Sequence, residues 1–313
     1  MTRNPLGPTS EIKYRGGVTA RRTLLKTMTL LPLAGCAATP ATPTTTASPT
    51  TTTSAAPVRH DALVELEKKY DARLGVYAAG VGTIEHRADE RFAFCSTFKG
   101  LAAAAVLHRN PMTHLDKVVT YTEADLMKSS AITKRHVQTG MKLRDLCDAA
   151  VRFSDGTAGN LLLRELGGPA ELTKYLRELG DDVTRMDRIE PAITEATPGD
   201  PRDTATPRSL GTDYQRLVLG NTLDQEKRGF LTDLLERSVT GAKRIRAGVP
   251  QGSRVASKTG TGDYGTANDI AVVWQPSREP ILIAIMSSRS TADARYDEAL
   301  IAEAAAYVTK TLT

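Results

Sequence analysis

The chain is poor in three things: 3 of its 313 residues are cysteine, 5% are aromatic, and it has no long apolar run. The aromatic scarcity, with no basic stripe, argues against a nucleic-acid partner. The pI near 9.1 does not reverse this. Residues 1–35 hold six Lys or Arg and one Glu, and the other 278 residues balance at 35 against 35. The apolar stretch from Thr23 to Leu33 is far short of the roughly 20 residues that span a bilayer, so it reads as a targeting segment. Cysteine is scarce enough to discuss residue by residue. Cys36 ends the leader, and Cys95 and Cys147 either pair in an oxidising compartment or stay as two buried thiols.

The leader "TARRTLLKTMTLLPLAGC" carries a twin arginine, Arg21 and Arg22, a mark of export of folded protein. Its "LAGC" end resembles a bacterial lipobox, which implies cleavage after residue 35 and a lipid on Cys36. The alternative is a plain secretory signal. Residues 36–58 are almost pure Thr, Pro, Ala and Ser, cannot bury a core, and read as a disordered stalk. An exported protein held on the outer face of the cytoplasmic membrane, or released beyond it, is the expected location.

Residues 59–313 form one domain of ordinary large size. An amphipathic helix at "HDALVELEKKYD" precedes strand patterns at "ARLGVYAAG", "GTIEHRA" and "RFAF". Helical periods follow over Gly100–His108, Leu143–Val151, Thr157–Leu166, Ala170–Leu179, Thr206–Leu219 and Gln225–Glu236. Strands return at "RVASKTGTG", "NDIAVVWQP" and "PILIAIMSS", before a closing helix from Ala292 to Thr311. Strands at both ends around a helical middle predict an α+β domain. One antiparallel sheet is flanked by the terminal helices, beside an all-helical lobe, with a cleft between them. No internal repeat is visible.

Four segments carry chemistry-bearing residues, and each has a bland reading. "STFK" places Ser96 and Lys99 one helical turn apart, or merely a cap and a solvated lysine. "SDG" holds Ser154 and Asp155 in a turn, or an N-cap for the next helix. "RIEPAITEATPGDPRDTATP" has four prolines and no apolar period, a long loop whose Arg188 and Asp203 could tie its ends. "SKTGTGDYG" is a strand ending in small and hydroxyl residues, or a hairpin. Alone each bland reading wins; the four together do not.

With "STFK", "SDG", "EPAIT" and "KTGTG" in that order, the domain resembles the class A serine β-lactamases, the mycobacterial and nocardial members above all. "ADERFAFCSTFK", "HVQTGM" and "TGAKRIRAG" add to the likeness. The resemblance implies hydrolysis of the β-lactam amide of penicillins and cephalosporins through an acyl-enzyme, with antibiotic resistance as the outcome. It implies Ser96 as nucleophile and Lys99 or Glu190 as the base. Lys258 would lower the proton affinity of Lys99, and Ser154 would pass a proton to the departing nitrogen. The N–H groups of Ser96 and Thr261 would form the oxyanion hole. Thr259, Gly260 and Thr261 would meet the substrate carboxylate, which Arg244 would grip as a bidentate pair; Arg246 is its near neighbour. No metal or cofactor is implied, and a monomer is expected.

Two departures from the family pattern bear on specificity. Gly156 stands where asparagine usually grips the acylamino group, which predicts a roomier site, and Thr194 stands where asparagine usually holds the hydrolytic water. The resemblance also assigns Cys95 a disulfide partner at the position of Gly262, so that bridge cannot form, and Cys147 lacks its usual partner. A penicillin-binding peptidase would share Ser-x-x-Lys and Lys-Thr-Gly but not the loop glutamate. A non-catalytic surface lipoprotein would not need the intact set.

Overall fold

Strong alternation at the two ends of the domain builds its sheet. The computed structural model describes residues 58–312; the leader, Cys36 and residues 37–57 of the stalk lie outside the described residues. The strands are β1 (Arg73–Ala79), β2 (Thr83–His86), β3 (Phe92–Ala93), β4 (Val118–Val119), β5 (Met141–Lys142), β6 (Thr204–Ala205), β7 (Arg254–Gly262), β8 (Thr266–Trp274) and β9 (Ile281–Ser288). The helices are α1 (Asp61–Tyr70), α2 (Phe98–Arg109), α3 (Leu143–Arg152), α4 (Gly156–Leu166), α5 (Pro169–Glu178), α6 (Pro207–Val218), α7 (Gln225–Glu236), α8 (Ile245–Gly248) and α9 (Glu298–Thr311).

Five strands form an antiparallel sheet in the order β2-β1-β9-β8-β7, so both ends of the described domain share it, as the α+β reading requires. Strand β9 shows why it is buried on both faces. Ile281, Ile283 and Ile285 pack with Leu63 of α1 and Leu300, Ala304 and Val308 of α9. Leu282, Ala284 and Met286 join the core of the helical lobe on the other side. A period of two sends alternate residues to opposite faces, and here both are apolar. Helix α2 is buried from Phe98 to Leu107, which suits an Ala-rich segment apolar on all sides. Lys99 lies inside that buried run.

Two expectations change. "RFAF" does not extend the main sheet: β3 pairs with β6, Phe92 opposite Ala205 and Ala93 opposite Thr204. Cys95, at φ 48°, then turns the chain into a 3-10 turn over Cys95–Thr97, which ends the strand. The closing helix starts at Glu298 and not at Ala292, because Asp297 caps it by accepting the N–H of Ala299. Residues 289–297 become a loop. Cys95 and Cys147 are both buried and unpaired, and burial pushes each thiol up to about 12.

The fold also buries an acid whose nearest cation, Arg216 Nη1, stands 4.0 Å from its Oδ1. Asp213 on α6 is fully buried, and neither of its carboxylate oxygens has a hydrogen-bond partner among the described residues. Burial, then the nearby Asp181 carboxylate, raise its pKa well above the ordinary value. The folded state therefore keeps a proton that the unfolded chain loses, and stability falls as pH rises above the ordinary carboxyl range. Asp213→Asn, whose amide could donate to the unpartnered Asp181 Oδ2, should raise Tm at pH 7–8. The gain should shrink toward pH 4, at about 1.4 kcal/mol per pH unit through the interval. A Tm scan across pH checks this; an asparagine variant less stable at every pH would refute it.

Candidate active site

Three elements of the helical lobe and the edge strand of the sheet converge on one cleft of about 1100 Å³. Ser96 sits in the 3-10 turn directly ahead of α2, and Lys99 follows one turn later. Lys99 Nζ donates to Ser96 Oγ at 2.9 Å and to the Ser154 carbonyl at 2.7 Å. It lies 2.6 Å from Glu190 Oε1, which also accepts from Ser96 Oγ at 3.0 Å. The serine hydroxyl is thus held between an amine and a carboxylate.

Glu190 comes from the long loop, whose ends are tied as its charges suggested. Arg188 Nε donates to Asp203 Oδ2 at 2.5 Å, and Asp203 Oδ1 accepts the N–H groups of Asp187 and Arg188. Asn160 on α4 grips the Glu190 backbone from both sides, accepting its N–H and donating to its carbonyl at 3.0 Å each. Asn160 closes the "RFSDGTAGN" segment, but spacing alone assigned it no part.

Ser154 and Asp155 divide the two readings of their turn. Asp155 is the cap, accepting from Ala158 N–H, and its other oxygen takes the N–H groups of Ile132 and Thr133. Ser154, at φ 56°, turns toward the cleft, where its Oγ accepts from Lys258 Nζ at 3.0 Å.

Burial dominates the charges. It pushes the Lys99 ammonium below its usual value, and the neighbouring Glu190 carboxylate opposes that without cancelling it. Burial also acts to raise the Glu190 carboxyl. The Lys99 charge and hydrogen bonds from Lys99, Ser96 and Ser129 outweigh it and hold the group below the ordinary carboxylate value. Lys258 is driven well below the usual lysine value by burial and then by repulsion from Lys99. Repulsion between the two ammonium groups is mutual, and the largest cause of the lowering at Lys99 is desolvation.

Strand β7 brings Thr259, Gly260 and Thr261 to the cleft. A Cβ on Gly260 would lie 2.4 Å from the Phe94 carbonyl, so only glycine lets β7 press against the turn that carries Ser96. That approach sets Thr261 beside the nucleophile. Arg244 donates to the carbonyls of Gly260 and Asn268 through Nη1, at 2.9 and 2.8 Å, and to Thr261 Oγ1 through Nη2 at 2.8 Å. Its Nε faces Glu298 at 3.3 Å. A free bidentate fork is therefore not on offer: the guanidinium braces β7 and orients Thr261. Arg246 points elsewhere, donating to the carbonyls of Leu235 and Glu236. Thr259 Oγ1 donates to Thr240, a residue without a sequence signal.

The two departures look different in three dimensions. The Thr194 hydroxyl donates to the Pro191 carbonyl at 2.7 Å and makes no hydrogen bond to Glu190. Gly156 does not open a roomier site. A Cβ there would lie 2.3 Å from Ser129 Oγ and 2.5 Å from Glu190 Oε2, so the space is already taken. A Cβ on Gly262 would sit 2.8 Å from Cys95 Sγ but also 2.7 Å from the Thr194 carbonyl, so the two positions are neighbours and the backbone here is packed for glycine.

Known proteins share this arrangement of elements. The profile of the β-lactamase enzyme family matches residues 59–312. A β-lactamase of Mycobacterium tuberculosis is 54% identical over 300 residues, covering 92% of this chain and 96% of the relative. One from Bacillus subtilis is 51% identical over 257 residues, covering 81% and 84%. Among solved structures, the class A β-lactamase of Clostridium kluyveri is similar at TM-score 0.79 and 45% identity, covering 80% of this chain and 97% of that one. The Streptomyces albus G β-lactamase gives 0.79 at 41%, covering 81% and 100%. With its profile, its relatives and its fold in agreement, the chain belongs to the β-lactamase enzyme family and is a class A β-lactamase.

Proposed function

We propose that this β-lactamase opens penicillins and cephalosporins through an acyl-enzyme on Ser96. The observation that carries the reading is the position of Ser96 Oγ, 2.9 Å from Lys99 Nζ and donating to Glu190 Oε1 at 3.0 Å. Ser96 Oγ attacks the lactam carbonyl carbon as Glu190 takes its proton. The oxygen gains negative charge, which the N–H groups of Ser96 and Thr261 stabilise. The C–N bond then breaks, and the nitrogen takes a proton from Ser154, which Lys258 replenishes along their 3.0 Å contact. The proton that Glu190 took from Ser96 passes to Lys99, 2.6 Å away, and on to Lys258, so Glu190 is again a carboxylate before deacylation. A water deprotonated by Glu190 attacks the ester carbonyl, and Ser96 leaves with its proton restored. Thr259 and Thr261, the latter oriented by Arg244, receive the substrate carboxylate under the cations Lys258 and Arg244. Glu190 also separates this reading from a penicillin-binding peptidase, which would be acylated and stall.

The leader supports export through its twin arginine and anchoring through Cys36, with the stalk as spacer. The protein acts as a monomer, every proposed site residue coming from the one chain. One experiment tests activity and location together: turnover of a chromogenic cephalosporin by cell fractions. Activity should reside in the membrane fraction for the native chain, move to the medium for Cys36→Ala, and vanish everywhere for Ser96→Ala. A Cys36→Ala protein that stays on the membrane would defeat the anchor, and an active Ser96→Ala would defeat the nucleophile.

A further inference from the structure

We propose that Ser129 is a positioning residue for the Glu190 carboxylate, and that Gly156 is glycine to leave its hydroxyl room. The two carboxylate oxygens have separate duties. Oε1 faces Lys99 and Ser96, while Oε2 accepts from Ser129 Oγ at 3.2 Å. Oε2 takes no other side-chain hydrogen bond among the described residues, and Thr194, the neighbour expected to serve here, gives its proton to Pro191.

Ser129 stands at the exposed rim of the cleft, on a loop bolted to the start of α4. Its own carbonyl accepts the Gly156 N–H at 3.1 Å. Two residues before it, the Met127 N–H donates to Thr157 Oγ1 at 2.8 Å; one residue after it, Ser130 Oγ shares a 2.7 Å bond with the same oxygen. A serine on a free loop would not hold one orientation, but this loop is fixed on both sides. A Cβ on residue 156 would fall on Ser129 Oγ and Glu190 Oε2 together, which ties the glycine to this contact.

A hydroxyl that donates to a carboxylate favours the charged form, so losing it raises the pKa of the base and moves the acidic limb of activity upward. The inference rests on Glu190 acting as base, and the experiment keeps the two apart. It measures kcat against pH for the full chain with a chromogenic cephalosporin, for the native enzyme, Ser129→Ala and Ser129→Thr. Ser129→Ala should move the acidic limb up by about half a pH unit, with kcat about threefold lower below it and the alkaline limb in place. Ser129→Thr keeps the hydroxyl and should return the limb toward its native position. A native enzyme without an acidic limb would overturn the role of Glu190 and this inference with it. A native limb that Ser129→Ala leaves unmoved, or that Ser129→Thr displaces as far as alanine does, would overturn this inference alone.

Discussion

Glu190→Ala should stop at the acyl-enzyme. The substitution removes the carboxylate 2.6 Å from the fully buried Lys99. The variant loses the largest influence that keeps this lysine charged, while desolvation stays and Asp155 opposes it more weakly. Lys99 should therefore shed its proton more readily and, as a neutral amine 2.9 Å from Ser96 Oγ, take over as base for acylation. Nothing replaces Glu190 for the attacking water. A missing general base costs about 10²–10⁴ in rate, so kcat should fall by about 10³-fold while Ser96 is still acylated. Mass spectrometry of the variant mixed with a cephalosporin should show a persistent adduct on Ser96. The lost ion pair should cost less stability than the roughly 3–5 kcal/mol of an abandoned buried charge, because the lysine can neutralise itself. Free turnover by the variant would rule out Glu190 as the hydrolytic base.

Gly156→Asn should lose activity, the reverse of what its place in the motif suggests. A side chain there would meet Ser129 Oγ at 2.3 Å and Glu190 Oε2 at 2.5 Å. Both are ends of flexible side chains and can move aside, while Met127 Cβ at 3.2 Å must give slightly, so the variant should lose no more than about 1–3 kcal/mol of stability. What moves is the base. Displacing a catalytic group by about an ångström can cost 10²-fold, so turnover should drop about 10–100-fold. Steady-state kinetics beside a melting curve separate the two effects. An asparagine variant with native turnover, or with tighter clavulanate-type inhibition at full activity, would show that the gap over Gly156 accommodates a side chain.

Local chemistry was legible in the chain. A nucleophile and an amine that must face one way sit one helical turn apart, but the ten-residue window around Ser96 and Lys99 favoured a cap and a solvated lysine until the other three segments were read with it. Strand β7 runs over Arg254–Gly262 and helix α7 over Gln225–Glu236, the very segments their periodicities outlined, because each buries a face with its own period. The α+β class followed from where the strands lie along the chain. What the sequence could not carry were contacts between segments far apart in it. Ser129 meets Glu190 across 61 residues, and Arg244 reaches the carbonyls of Gly260 and Asn268, so neither partner is visible from the other. Motif position put Thr194 beside the water and a vacancy over Gly156; backbone geometry sent the threonine hydroxyl to Pro191 and a serine from another loop into the space. Residue type and spacing decide what chemistry a segment can offer, while direction and distance are decided only when packing brings the segments together.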